Sequence, residues 1–233
     1  MLPNLTKLKG MALDLLFPQW CIGCGGEGSF LCQACRRTLP RINPPICPRC
    51  GKPQANEQLC PGCAEWSATI DGIRSPFRFE GVVREAVHQL KYRNLRSLVP
   101  SLSELLNDYM GTITVTADVL VPVPLHRKKL RERGYNQSLL LAKGLGKLSG
   151  LPVVGNCLIR QKNTPPQAGT STVQERRDNV VDVFSCCDDQ LRGKQVLLID
   201  DVATSGATLD ACAVVLKASG AASVWALVLA REV

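Results

Sequence analysis

Two adjacent carboxylates, Asp200 and Asp201, open a stretch in which the hydroxyls of Thr204, Ser205 and Thr208 are interleaved with the small residues Ala203, Gly206 and Ala207. Small side chains let a phosphate approach the backbone closely, and the hydroxyls add donors. The two acids would repel a phosphate, so they must face something else. Sugar hydroxyls and a hydrated Mg²⁺ are their natural partners. A ribose bearing a 5-phosphate offers both kinds of group on one molecule.

The second set with chemistry is made of cysteines. The chain has twelve, and eight form the pairs Cys21/Cys24, Cys32/Cys35, Cys47/Cys50 and Cys60/Cys63. Each Cys-x-x-Cys turn presents two thiolates to one metal, and two turns close a tetrahedral zinc site with no open position. Such a site is structural rather than catalytic. The pattern repeats internally, because each half begins Cys-x-x-Cys-Gly (Gly25, Gly51) and closes with another pair. The repeat argues for two zincs held by consecutive halves; an interleaved cross-brace satisfies the same spacing.

The elements around the acids explain their placement. Val196-Leu197-Leu198-Ile199 is a continuous apolar run, the mark of a strand buried on both faces. Leu209, Cys212, Ala213 and Leu216 recur at helical spacing. The stretch therefore predicts strand, tight loop, helix, with unpaired amides and the positive end of the helix dipole at the loop. Other phosphate motifs do not compete: no Walker A pattern occurs, and Gly144, Gly146 and Gly150 miss the dinucleotide spacing by one residue within a helical pattern.

A second buried-type strand, Asp118 to Pro124, runs into a basic stretch. Five of the seven residues from Arg127 to Arg133 are cationic, and Gly134, Tyr135, Asn136 and Gln137 follow. A basic loop at the carboxyl end of a parallel strand lies where open α/β sheets bind ligands. Val82 to Arg93 and Leu98 to Met110 read as helices, the first with a basic end at Lys91, Arg93 and Arg96. Arg160 to Asn179 is the most polar stretch and reads as a functional loop.

Length and charge bound the whole. The 233 residues suit one α/β domain plus a small module, and a net charge of +8 favours phosphorylated or polynucleotide partners. Aromatic residues, at 5%, are too sparse for a dedicated base-stacking platform. No run approaches the ~20 apolar residues of a membrane span. The first 17 residues lack the apolar core and cleavage site of a secretory signal. The expected location is the cytoplasm, where thiols stay reduced and paired cysteines take metal.

The stretch Val196 to Leu209 resembles the phosphoribosyl pyrophosphate loop of type I phosphoribosyltransferases, with Ser205 where threonine is commoner and Ala203 smaller than usual. Further blocks resemble the ComF/GntX family of bacterial phosphoribosyltransferase-like proteins. They are the cysteine pairs, Gly81 to Tyr92, Val121-Pro122-Val123-Pro124-Leu125 with Arg133 to Gln137, and Gln167, Arg176 and Asn179.

The resemblance implies an α/β fold, a type I phosphoribosyltransferase-like parallel sheet with flanking helices over 70–233. A double zinc ribbon over 19–66 and a leading helix over 1–18 precede it. It implies phosphoribosyl pyrophosphate with Mg²⁺ as ligand, Asp200 and Asp201 as the catalytic acids, and Ala203 to Thr208 around the 5-phosphate. Arg133, Gly134, Asn136 and Gln137 would hold the pyrophosphate, and Arg160, Gln167 and Arg176 would belong to a closing loop. It also implies a link to DNA uptake, natural competence or use of DNA as a nutrient. Two classes follow: a transferase acting on phosphoribosyl pyrophosphate, or a non-catalytic module that senses this ligand while binding single-stranded DNA or an uptake protein.

Overall fold

The computed structural model describes residues 19–161, 183–186 and 189–233. The expected leading helix, Gln167 and Arg176 lie outside them.

The sheet is parallel. Its strands are β1 (Gly72–Arg74), β2 (Phe77–Arg78), β3 (Val119–Pro122), β6 (Gln195–Ala203) and β7 (Ser223–Arg231), with β4 (Leu158–Arg160) and β5 (Phe184–Cys186) paired antiparallel in a separate two-stranded sheet. The order is β1-β7-β6-β3, with β2 also parallel to β7. The apolar runs of β6 and β7 occupy its centre, as expected of strands covered on both faces. Alternation along β6 divides the core. Val196 and Leu198 join the side of helix α7 (Ala207–Ala218), where Leu209, Cys212, Ala213 and Leu216 are buried. Leu197 and Ile199 join the opposite side. There they meet α3 (Gly81–Tyr92), α4 (Val99–Met110) and α6 (Gln137–Ser149), whose buried residues recur at helical spacing.

Three local readings change. With Phe77 and Phe79 alternating, Ile73 to Phe79 reads in the sequence as one strand, and it is broken at Ser75 and Pro76 into β1 and β2. The basic stretch is helical: α5 spans Arg127–Arg133, capped by the His126 ring and closed by Gly134 in the left-handed conformation. Leu151 to Ile159 reads in the sequence as one strand, and it reduces to a bridge at Val153 and to β4. Gly144 serves helix packing, since a Cβ there would lie 2.1 Å from Ser103 Oγ on α4.

The amino-terminal module repeats its own geometry. Gly25 and Gly51 donate to the carbonyls of Cys21 and Cys47 at 2.8 and 2.9 Å. Cys32 and Cys60 amides donate to Cys21 and Cys47 Sγ, both at 3.4 Å. Each half then starts a short helix, α1 (Gln33–Arg37) and α2 (Pro61–Ala64). The second half is tied to the sheet: the Ile73 amide donates to Arg49 O at 2.7 Å, and Cys47, Cys50, Cys60 and Cys63 belong to the same buried cluster as Ile73 and α7.

Candidate functional site

The cysteines fall into two groups, Cys21/Cys24/Cys32/Cys35 and Cys47/Cys50/Cys60/Cys63, with the sulfurs of each group within 4.8 Å of one another. Consecutive halves therefore supply the two sites, and the cross-brace does not form. Four thiolates at that separation fit tetrahedral zinc. Burial opposes the thiolate of Cys21, but the amides of Cys32, Cys24 and Gly23 outweigh it and bring the group down to about 6. The same contest brings Cys47, with amides from Cys50, Cys60 and Arg49, to about 6.

The acids lie near the carboxyl end of β6 and are consecutive, so their side chains leave opposite faces of the strand. Asp201 is 2% exposed, and its Oδ1 lies 2.9 Å from Lys91 Nζ at the end of α3. Its Oδ2 is buried with no partner. Asp200 Oδ1 accepts from Ser138 Oγ at 2.7 Å and from the Asp201 amide at 2.9 Å. Burial of its carboxyl, together with the Asp201 charge, pushes Asp200 up to about 7. Burial opposes the charge on Lys91, yet Asp201 and Asp200 raise it above the usual lysine value.

Lys91 and Ser138 were not among the candidate site residues. Lys91 was visible only as part of a basic helix end. Ser138 follows Asn136, whose side chain caps α6 by accepting the Ser138 amide at 3.0 Å and holds Val123 O at 3.0 Å.

The loop from Ala203 to Thr208 crosses from β6 into α7. Ala203 and Ala207 are buried, Thr204 is exposed, Ser205 and Thr208 are partly exposed, and the Ala207 amide donates to Ser205 Oγ at 3.3 Å. Gly206 has φ 85°, and a Cβ there would meet Ile73 Cδ1 at 2.9 Å and Trp66 Cη2 at 3.2 Å. Its missing side chain accommodates the neighbouring core as well as the turn. The segment before β1 is laid on this helix, with the Thr69 and Ile70 amides donating to Asp210 Oδ1 at 2.7 and 2.9 Å.

The basic elements converge on the acids. Arg133 stacks over the Tyr92 ring at 5.7 Å and donates to Gln137 Oε1, while Tyr135 donates its hydroxyl to Leu90 O. Those contacts hold Arg133 to Gln137 against the end of α3 that carries Lys91. Burial and the charges of Arg160, Arg133 and Lys91 hold Lys129 below the usual lysine value. An open cavity of about 470 Å³ lies among Lys91, Tyr92, Asn94, Lys129, Glu132, Arg133 and Tyr135. Arg160 stands over Phe184 at 5.6 Å and feels the charge of Asp200. Lys91, Lys129, Arg133 and Arg160 thus form one cationic field beside two carboxylates.

Parallel sheet with flanking helices, acid pair, small-residue loop and tetracysteine module together define an α/β protein with an amino-terminal zinc ribbon. Residues 12–64 match the family described as "Double zinc ribbon domain". Competence protein ComFC of Bacillus subtilis is 32% identical over 213 residues, covering 87% of this chain and 84% of the relative. The chain belongs to the ComF family. Competence protein F of Haemophilus influenzae is 28% identical, covering 91% of this chain and 96% of the relative. DNA utilization protein YhgH of Escherichia coli K12 is 27% identical, covering 86% and 90%. Among solved structures, a glutamine phosphoribosylpyrophosphate amidotransferase from B. subtilis overlaps 57% of this chain and 26% of its own, with a TM-score of 0.40 and 22% identity. Among the described residues, no helix is long and apolar enough to cross a membrane.

Proposed function

We propose that this protein binds phosphoribosyl pyrophosphate with Mg²⁺ at Asp200 to Thr208, as a cytoplasmic member of a DNA-uptake or DNA-utilisation system. The observation that carries the reading is Asp201 Oδ2, a buried carboxylate oxygen without a partner beside a loop of small and hydroxyl residues. A buried acceptor is costly unless a donor reaches it, and a ribose hydroxyl would be that donor.

The roles follow from position. Asp201 and Asp200 take the ribose hydroxyls. Thr204, Ser205, Gly206 and Ala207 offer backbone donors to the 5-phosphate and Thr208 its hydroxyl, at the amino terminus of α7. Lys91, Lys129, Arg133 and Arg160 face the pyrophosphate, with Gly134, Asn136 and Gln137 shaping that side. Mg²⁺, when bound, supplies charge neutralisation between pyrophosphate and ribose. Gln167 and Arg176 are proposed for the loop that excludes water. The chemistry such a site supports is attack of a nitrogen nucleophile on C1 of the ribose. The C1–N bond forms, the C1–O bond breaks, pyrophosphate leaves and the nucleophile loses its proton. The protein's work is to orient the partners and stabilise the leaving group.

The cysteine groups are proposed to hold two structural zincs. The domain limits follow as a zinc module over 19–66 and a ligand-binding domain over 70–233, preceded by a leading segment over 1–18. Calorimetry of the folded, zinc-loaded protein tests the ligand reading. Phosphoribosyl pyrophosphate with Mg²⁺ should give saturable heat, ribose 5-phosphate should compete, and pyrophosphate alone should compete less well. Absence of heat and of competition rejects the site. A scan of nucleobases for pyrophosphate release then separates transferase from ligand sensor.

A second reading has its own observation. No residue of α5 is buried, and Tyr92 beside it is 67% exposed under the Arg133 guanidinium. Exposed cations next to an aromatic face suit single-stranded DNA.

A further inference from the structure

The two halves of the zinc module share one cysteine pattern and are unlike in surroundings. Cys24 is exposed and Cys32 partly so, whereas Cys47, Cys50, Cys60 and Cys63 are all buried. The second group meets the end of the sheet. There Arg231 closes β7 opposite Ala203, the residue at which β6 becomes the phosphate loop. The Arg231 side chain is 1% exposed, and its Nε and Nη1 have no hydrogen-bond partner. It lines a cavity of about 320 Å³ together with Cys50, Cys60 and Cys63 on one side and Thr204 and Ser205 on the other.

A guanidinium stays protonated, and a buried unpaired charge is strongly unfavourable. Four thiolates on one Zn²⁺ leave a net charge of about −2, which supplies what Arg231 lacks. Burial disfavours the Arg231 charge, and Cys50, Cys63, Cys60 and Cys47 are the groups that offset it. A second connection runs in parallel: Arg49 Nη1 donates to Cys63 O at 2.9 Å and Trp66 O at 2.6 Å, and Trp66 abuts Gly206 of the loop.

We propose that Arg231 is the counter-cation of a zinc tetrathiolate at Cys47, Cys50, Cys60 and Cys63, and that this pairing makes the second metal a clamp on the phosphate loop. Arg231 is a positioning residue, acting through the metal and the strand end. The role assigned to the loop rests on the ligand reading above; the pairing with zinc does not.

The test follows zinc release from the full-length zinc-loaded protein into a chromogenic chelator. The wild type should release one zinc quickly from the exposed group and one slowly. R231M should accelerate the slow phase roughly 10- to 100-fold, the usual effect of losing a partner of a metal's ligands, and leave the fast phase alone. R231K, which keeps the charge, should stay near the wild-type rate. A slow phase within about twofold of wild type in folded R231M overturns the pairing. If R231M does not fold, the wild type still decides the clamp by hydrogen exchange over residues 203–209. Protection should survive loss of the first zinc and collapse with the second; protection unchanged after both have left overturns it. Should phosphoribosyl pyrophosphate fail to bind the wild type, the ligand reading falls while zinc release and exchange still report on Arg231.

Discussion

Lys91 Nζ stands 2.9 Å from Asp201 Oδ1 across 110 residues of sequence, joining the end of α3 to the end of β6. The pair is nearly dry on the acid side: the Asp201 side chain is 3% exposed and that of Lys91 23%. Removing one partner leaves a buried charge alone, so Lys91→Met should destabilise the fold by about 1–3 kcal/mol, between the values for exposed and fully buried pairs because Lys91 keeps some solvent. Asp201→Asn in the same chain should restore part of the loss. A double-mutant cycle by urea unfolding measures the coupling; independent effects would show that the two do not interact in solution.

Asp200 carries a pH-dependent expectation. Its folded value, about 7, exceeds the ordinary 3.8 because burial and the Asp201 charge disfavour the anion. The folded state therefore holds the proton more tightly than the unfolded one. Asp200 favours the fold below the ordinary carboxylate range, and that contribution is lost as pH rises towards about 7. Asp200→Asn should raise stability at pH 8 by on the order of 1–3 kcal/mol while weakening ligand binding. Urea midpoints from pH 5 to pH 8 check the first effect, with the gap between variant and wild type widening as pH rises. A constant gap would mean that Asp200 is already ionised at pH 5.

The contrast between these acids and their partners shows what a linear reading can reach. Strand, loop and helix from Val196 to Leu209 were legible because each carries its own periodicity. The cysteine groups were legible because metal ligands come at fixed spacing, and the internal repeat pointed to consecutive pairing. Lys91 was not legible as a partner of Asp201, since a helix end and a strand end meet only through the sheet order. Arg231 closes an apolar strand, and nothing local says that it faces thiolates. The helix at Arg127–Arg133 was hidden by its charge. Gly134, in the left-handed conformation at its end, was the available signal.

Gly206 offers a test of the loop's support. At φ 85° any other residue is strained, and a Cβ would press on Ile73 and Trp66. Gly206→Ala should destabilise the protein by about 1–2 kcal/mol from the backbone alone and weaken ligand binding as α7 shifts. Denaturant unfolding and calorimetry on the same preparation read both. A variant with wild-type stability would place the loop in another conformation.

Metal content comes next. The folded protein should carry close to two zincs per chain, read by elemental analysis. Cys21→Ser should lose one and keep the other, because the two groups share no ligand. Cys47→Ser should disturb more, since its group is buried in the same core as β6 and α7. Loss of both zincs from Cys21→Ser would show that the halves do not bind independently.

The cations of α5 divide by position, and that division separates the two ligand readings. Lys129 and Arg133 line the cavity beside Lys91, whereas Arg127, Lys128 and Arg131 are exposed on the outer surface. If single-stranded DNA binds this helix, its affinity should fall steeply with salt and depend little on sequence, because phosphate neutralisation releases counterions. Replacing Arg127, Lys128 and Arg131 by Gln should then flatten the log–log salt dependence by roughly 2, at about 0.7 per phosphate on a single strand, and leave phosphoribosyl pyrophosphate binding intact. Lys129→Gln with Arg133→Gln should do the reverse, weakening the small ligand first. Fluorescence anisotropy over a salt series reads the former and calorimetry the latter. An unchanged salt slope in the outer triple variant would remove α5 from DNA recognition and leave its cations to the pyrophosphate alone.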